Sequence, residues 1–263
     1  MGGVFYMKKT ILCVNNQDAR QRYLARMLME DGCSVVLCEE FCPDMGSYDV
    51  VLLPVRLAGL DMEGIAQKLR EGQRVFGGNF PEDFINACME KGVHCYDYMK
   101  EETIAIRNAV AAAEGAIAEA IQLGDENLHG SRSLVIGYGR CGSILADKLQ
   151  GMKSDVTVLE EDGRKRAKAE AYGFRVLKNS RKIARGDYVY LFNTVPALIL
   201  DKTRLEECSN RIVIIDIASN GGADYEYCRE RGIRAKLCPG LPGKYAPKSS
   251  AKILYEYVKE ACK

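Results

Sequence analysis

The segment Ser131-Arg132-Ser133-Leu134-Val135-Ile136-Gly137-Tyr138-Gly139-Arg140-Cys141-Gly142 constrains this chain more than any other. Residues 134–136 read as a short buried strand. Gly137, Gly139 and Gly142 follow in G-x-G-x-x-G spacing, and from Ser143 the pattern turns helical, with Ile144, Leu145 and Leu149 on one face. The three glycines do different things. The first permits the tight turn, the second lets the backbone approach a pyrophosphate, and the third lets the helix pack close to the sheet. The helix N-terminus then offers unpaired N–H groups and the positive end of its dipole to phosphate. The spacing alone is a weak signal, but a second strand at 156–159 supplies the expected context. It closes on Glu160 and Glu161, about 20 residues past the glycines, where an acidic side chain can bind ribose hydroxyls. The competing reading is a βαβ turn that binds nothing.

Composition sets the outer limits. A chain of 263 residues is long enough for two domains. With 37 Lys and Arg against 36 Asp and Glu, it shows no basic excess for nucleic acid and no polybasic run for a membrane surface. No apolar run reaches the roughly 20 residues of a membrane helix. Nothing at the start reads as a signal peptide, so a cytoplasmic protein is expected. The eleven cysteines contain no C-x-x-C pair, the closest being Cys38 and Cys42. They read as small buried hydrophobes under reducing conditions, Cys141 in the glycine loop included.

The chain in order predicts strands at 10–14, 35–38, 48–53, 74–76 and 93–96, alternating with helices at 19–30, 65–70 and 81–91. That alternation implies a parallel sheet. Tyr23, Leu24, Met27 and Leu28 are expected on the inner face of the first helix. Asn15-Asn16-Gln17-Asp18 is a turn with N-cap chemistry but without the glycines of the later motif. A long alanine-rich helix at 100–124 links this unit to the next. His129, one of two histidines, reads as a hydrogen-bonding hinge residue. Further strands are expected at 174–177, 187–192, 211–215 and 233–237, with a helix at 225–231. Irregular segments, Asn193-Thr194-Val195-Pro196, Asp216-Ile217-Ala218-Ser219 and Pro239-Gly240-Leu241-Pro242-Gly243, stand at strand ends, where ligands bind in such sheets. The resulting fold class is α/β: two Rossmann-like, doubly wound parallel-sheet domains joined by a long helix. The first covers 1–99, flavodoxin- or Rossmann-like, and is completed by a helix at 248–263. The nucleotide-binding domain covers 125–247. The final helix is expected to cross back to the first domain, with the active site in the cleft.

These motifs together resemble the A-subunit family of the dipicolinate synthases of spore-forming bacteria. The likeness rests on Ala113-Glu114-Gly115, His129-Gly130-Ser131, the glycine segment 137–142, Asn193-Thr194-Val195-Pro196-Ala197, Asp216-Ile217-Ala218-Ser219 with Gly221, Gly222 and Asp224, and Pro239 to Gly243 through Ala246-Pro247-Lys248. In the first domain Asp18-Ala19-Arg20-Gln21 and Leu53-Pro54-Val55 also fit. The resemblance implies a hydroxyacid-dehydrogenase-like arrangement. It implies oxidation of dihydrodipicolinate to dipicolinate during sporulation, with NADP as nucleotide and the flavoprotein-like B subunit of dipicolinate synthase as partner. Two departures stand out. The first domain looks trimmed around 55–75, with Arg56 where the family tends to have a small residue. Glu160 and Glu161 stand where the family tends to carry an arginine for the 2′-phosphate, which favours NAD, although Arg164 with Lys165 and Arg166 could restore NADP binding.

The candidate sites follow. Gly137, Tyr138, Gly139, Arg140, Cys141, Gly142, Glu160, Glu161 and Arg164 would bind the pyrophosphate and adenine ribose. Asn193, Thr194, Val195, Pro196, Asp216, Ala218 and Ser219 would run past the nicotinamide end. A dicarboxylate calls for guanidinium or ammonium partners. Arg20 and Arg56 are therefore read as substrate-binding, with Leu241, Pro242, Gly243 and Ser249 beside them. Lys248 and Glu114 are the catalytic candidates, and no metal cluster is expected. The partners expected from the resemblance are the B subunit and a small dicarboxylate, with a second copy of the chain as a further candidate. Two alternatives stay open: a non-catalytic dinucleotide-binding member of that complex, and an NAD-dependent dehydrogenase of 2-hydroxy acids. Absence of the usual Arg–Glu–His set weighs against the second.

Overall fold

Short apolar strands, each followed by a helix, build two parallel sheets in the computed structural model, which describes residues 9–14, 17–39, 44–178, 183 and 187–263. Asn15, Asn16 and Cys42, named above, lie outside the described residues. The chain divides into two compact units, Met1–Asn108 with Ala246–Lys263, and Ala109–Tyr245.

In the first unit the strands β1 (Thr10–Val14), β2 (Ser34–Cys38), β3 (Val50–Leu52), β4 (Arg74–Gly77) and β5 (His94–Asp97) pair in the order β2-β1-β3-β4-β5. All pairs are parallel. Helices on both faces make alternate residues bury on opposite sides. Ile11 and Cys13 join one core with Val50, Leu52 and Phe76. Leu12 and Val14 join the other with Val51, Leu53 and Val75. The first core lies under α1 (Ala19–Glu30) and α10 (Pro247–Ala261), the second under α2 (Met62–Lys68) and α3 (Glu82–Glu90). α1 buries Arg20, Gln21, Leu24, Ala25 and Leu28, whereas Tyr23 is exposed, which corrects its expected inward position.

α10 runs parallel to α1. Its stripe Ala251, Leu254, Val258 and Cys262 packs on Leu24, Ala25 and Leu28. Its C-terminal end is pinned at the strands' amino edge: Lys9 Nζ, just ahead of β1, donates to Cys262 O at 2.6 Å, and Lys259 Nζ and the Tyr255 hydroxyl donate to Asp31, the C-cap of α1. The N-termini of α1 and α10 therefore sit together at the carboxyl edge. Truncating a buried leucine such as Leu254 to alanine in a stripe of this kind costs about 2–5 kcal/mol.

α4 (Glu102–Leu123) begins in the first unit and continues into the second. There β6 (Arg132–Ile136), β7 (Asp155–Leu159), β8 (Arg175–Leu177), β9 (Tyr190–Asn193), β10 (Val213–Asp216) and β11 (Arg234–Leu237) pair in the order β11-β10-β9-β6-β7-β8. This is the doubly wound order whose switch point falls between the first and fourth strands, β6 and β9. One face buries Val135, Phe192, Val213 and Ile215 with Ala113, Ala116 and Ala120 of α4 and with Leu145 and Leu149 of α5 (Arg140–Gly151). The other buries Leu134, Leu191 and Ile214 with Leu205 of α7 (Lys202–Glu206) and Cys228 of α8 (Tyr225–Glu230).

Several expectations are corrected. Strand β9 begins at Tyr190 rather than at 187, because Asp187 takes a left-handed φ of 45°; β10 begins at Val213 rather than at 211. Both strands run one residue further than expected, since Asn193 and Asp216 turn their polar ends inward to each other. Pro239 to Gly243, expected as a loop, contains the short helix α9 (Leu241–Tyr245), because Gly240 (φ 73°) makes the turn and a proline in a first helical turn removes only an N–H without a helical partner. The helix α6 (Gly163–Ala171) was not expected; Asp162 caps it and only Ala169 is buried. His129 is exposed and makes no hydrogen bond to a described residue.

Glu119 ties this unit together and was missed as well. It is 1% exposed on α4, and it accepts from Lys236 Nζ of β11 at 2.6 Å and Lys244 Nζ of α9 at 2.5 Å. Gly115, one turn earlier, leaves room for α9: a Cβ there would stand 2.9 Å from Leu241 Cβ and from Tyr245 Cδ2. Burial pushes the Glu119 pKa up, but the two lysines outweigh it and bring it down from 4.5 to about 2. A lowered folded-state pKa contributes stability above the unfolded value that is lost as pH falls through the folded one. The stability advantage of the wild type over Glu119→Gln, read from urea melts, should be full above pH 4.5 and shrink as pH falls toward 2.

Candidate dinucleotide site

The carboxyl ends of β6 and β9 lie side by side, with Ile136 registered against Asn193. Gly137 leaves β6 at φ 89°, a conformation that disfavours any side chain, and a Cβ there would stand 2.6 Å from Thr194 Oγ1. Gly142 is tighter still: its Cβ would fall 2.0 Å from Gly137 O. Gly139 is the opposite case. A Cβ on it would meet nothing within 4 Å, so the space over the second glycine is open. Gly139 is also the N-cap of α5, and no side chain caps that helix. The first N–H groups of α5 therefore face an open cradle, which fits a dinucleotide pyrophosphate. Tyr138 is buried with its ring edge-on to Phe174, Arg140 is exposed, and Cys141 is half-buried with its thiol pushed up by burial and drawn back by Arg140.

Glu160, at the end of β7, turns toward this loop. Its Oε2 accepts from Tyr138 N at 2.8 Å and its Oε1 from Asp162 N at 2.9 Å. The carboxylate is thus held beside the glycines, at the edge where an adenine ribose would rest. Glu161 and Arg164 are exposed, and the Arg164 backbone N–H caps α6 onto Asp162.

The β9 and β10 ends form one buried network. Asp216 is fully buried and accepts from Asn193 Nδ2 (3.0 Å), Ala218 N (3.1 Å), Gly222 N (2.6 Å) and the Tyr225 hydroxyl (2.7 Å). Burial raises the Tyr225 pKa, and the Asp216 carboxylate adds to it. Asn193 also holds Val195 at both N and O, and Thr194 Oγ1 donates to Ile136 O at 2.9 Å. The side chains of Asn193 and Asp216 are therefore spent on shaping the turns. What these turns leave at the surface is Pro196 and Ser219, with Ala218 buried. Tyr225 was missed in the sequence as a site residue, and Gly222 entered only through the resemblance.

The remaining candidates separate by unit. In the second unit Leu241 is buried, Pro242 and Gly243 are half-buried, and Glu114 is exposed with its carboxylate on Lys148 Nζ at 2.8 Å. The buried acid of α4 is instead Glu119. In the first unit Arg20, Arg56, Lys248 and Ser249 all stand at the carboxyl edge of the sheet: Arg20 opens α1, Arg56 follows β3, and the other two lie in the first turn of α10. β1 and β3 are paired neighbours, so Arg20 and Arg56 flank that sheet's own switch point. Among the described residues there is no cluster of His, Cys, Asp and Glu fit for a metal, and no helix long and apolar enough to cross a membrane.

Comparison with known proteins agrees with this geometry. Residues 101–226 match the NAD binding domain of the D-isomer specific 2-hydroxyacid dehydrogenases. The A subunit of dipicolinate synthase from Bacillus subtilis (strain 168) is 35% identical over 157 residues, 59% of this chain and 53% of that protein, so the alignment spans about half its length. The crystal structure of the dipicolinate synthase A subunit from Bacillus halodurans superposes with a TM-score of 0.87 at 27% identity, covering 99% of both chains. The A chain from Bacillus subtilis gives 0.85 at 25%, covering 99% of this chain and 97% of that one.

The cradle gives a paired expectation. Gly139→Ala should leave the melting temperature unchanged and weaken nucleotide binding, whereas Gly142→Ala should cost about 1–3 kcal/mol of stability as an overpacked site; calorimetry and fluorescence titration with reduced nucleotide separate the two. Over residues 101–226 the chain thus matches an NAD binding domain of the D-isomer specific 2-hydroxyacid dehydrogenases, and over nearly its whole length its fold is similar to that of dipicolinate synthase A chains.

Proposed function

We propose that the chain is the nucleotide-dependent component of a dipicolinate-forming enzyme, oxidising dihydrodipicolinate to pyridine-2,6-dicarboxylate together with a flavoprotein-like B subunit. The observation that carries the nucleotide half of this reading is the open space over Gly139 at the uncapped start of α5. The substrate half rests on the relatives' name and on the cations gathered at the first unit's carboxyl edge.

A bound nicotinamide would supply the hydride acceptor. Oxidation removes a hydride and a proton from the reduced ring, and aromatisation makes the step favourable, so what the protein has to contribute is positioning. The N–H groups at the start of α5 would hold the pyrophosphate. Glu160, fixed by Tyr138 N, would accept from the ribose hydroxyls and repel a 2′-phosphate, so the reading prefers NAD over NADP. Asn193 and Asp216 act indirectly, keeping the β9 and β10 turns in shape. Arg20, Arg56 and Ser249 would take the substrate carboxylates. Lys248 is the proposed proton-handling group, with Glu114 second because Lys148 already neutralises it.

One observation favours the second reading, a nucleotide-binding component whose partner carries the chemistry. Both histidines, His94 and His129, are exposed, and His129 precedes β6 at the edge of the sheet away from the glycine turn. The usual imidazole acid–base group is thus missing from the site.

Mixing the protein with NAD⁺ or NADP⁺ and freshly prepared dihydrodipicolinate, with and without the B subunit, should produce reduced nicotinamide and pyridine-2,6-dicarboxylate together, faster with NAD⁺. Glu160→Ala should narrow the preference by about tenfold, the scale of one charge-assisted contact. Faster turnover with NADP⁺ would reject the role given to Glu160. Nucleotide binding without product in the assembled pair would reject the substrate.

A further inference from the structure

Arg20 is unusual among the cations of the first unit in being almost wholly buried, at 8% exposure, and rigidly held. Asp18 grips it from one side. Arg20 Nε donates to Asp18 Oδ1 at 2.8 Å and Oδ2 at 3.1 Å, and Nη2 donates to Oδ2 at 2.7 Å. Asp18 Oδ1 also accepts from Arg20 N at 3.1 Å, as N-cap of α1. The side edge of the guanidinium is therefore filled. The end edge is not: Nη1 makes no hydrogen bond to a described residue. Among the described residues the buried side-chain polar atoms without a partner are the hydroxyls of Tyr98 and Tyr245, and Arg20 Nη1 is not one of them.

The surroundings point the same way. Arg20 opens α1 at the carboxyl edge of the sheet, beside the N-terminus of α10 with Lys248 and Ser249. Tyr98 lies in the same layer between sheet and helices, packed with Phe76 and Tyr257. Its hydroxyl is buried with no partner among the described residues, which costs free energy unless something else accounts for it. Burial pushes its pKa well up, while the nearby Arg20 charge pulls it back. A planar guanidinium fixed on one edge, with its other edge free, is a receptor for a second planar carboxylate.

We infer that Asp18 is a positioning residue: it locks the Arg20 guanidinium so that its Nη1/Nη2 edge, which Asp18 leaves open, takes one carboxylate of a planar ring dicarboxylate. The second carboxylate then falls to Arg56 and Ser249. The inference rests on the substrate class proposed above. Its consequence is selectivity for a rigid, flat acid, since the fork cannot swing to follow a flexible one.

The test uses the full chain with NAD⁺ present and calorimetric titration of pyridine-2,6-dicarboxylate and pyridine-2-carboxylate. Asp18→Asn keeps an equally good helix cap but removes the charge that holds the fork. It should weaken dicarboxylate binding roughly tenfold, the scale of one charge-assisted hydrogen bond, with melting temperature and NAD⁺ affinity unchanged. Arg20→Lys should weaken binding at least as much, because a lysine offers no fork. The double variant should be no weaker than Arg20→Lys alone, because the two residues act as one device. Unchanged affinity in Asp18→Asn, or effects that add, would overturn the inference while leaving the proposed function standing. If Asp18→Asn melts early, Arg20→Lys decides, and wild-type affinity in that variant overturns it. A wild type that binds NAD⁺ but neither acid rejects the substrate class, and the inference with it.

Discussion

A single buried carboxylate organises the functional edge of the second unit. Asp216 has no access to water, and burial of an unpaired charge there would cost several kcal/mol. Four donors converge on it instead, from Asn193, the Ala218 and Gly222 backbone, and Tyr225. Those donors belong to three different segments, so one charge fixes the ends of β9 and β10 and the turn that leads to α8. Gly222 is part of the design: a Cβ would stand 2.4 Å from Asn193 Nδ2 and 2.5 Å from Ala197 O. With these turns made rigid by internal bonds, the part left open to a ligand is the cradle over Gly139.

The two sheets treat the same position in opposite ways. Each has a helix that starts at the carboxyl edge beside a switch point. At α1 the helix end is closed by its own Asp18 carboxylate, which in turn holds Arg20. At α5 the helix end carries a glycine and no cap. A satisfied N-terminus repels phosphate, and an unsatisfied one attracts it. The first unit thus closes its helix end and fixes a cation there, where the second unit leaves its helix end open.

Much of this was legible in the sequence because period and punctuation carry it. Glycine spacing between a strand and a helix located the cradle, and strand–helix alternation gave both parallel sheets. The polar α6 was illegible, since Ala169 alone is buried and the helix has no apolar stripe to read. α9 was hidden by Pro242 and Gly243, residues that normally mark a loop. Glu119 and Glu114 look alike in an alanine-rich run; only the packing of β11 and α9 on one side of α4 buries the first and leaves the second paired at the surface. The strand ends at Asn193 and Asp216 were misplaced because polar residues there serve each other across the sheet, a partnership between residues 23 apart in sequence.

The central claim is that this chain seats a nicotinamide dinucleotide on the open glycine of the second unit. A crystal structure of the protein with reduced NAD and pyridine-2,6-dicarboxylate tests it most directly. The account predicts the pyrophosphate over Gly139 and the first N–H groups of α5, with the adenine ribose on Glu160. A nucleotide bound away from the Gly137–Gly142 turn, or one whose ribose avoids Glu160, would contradict it.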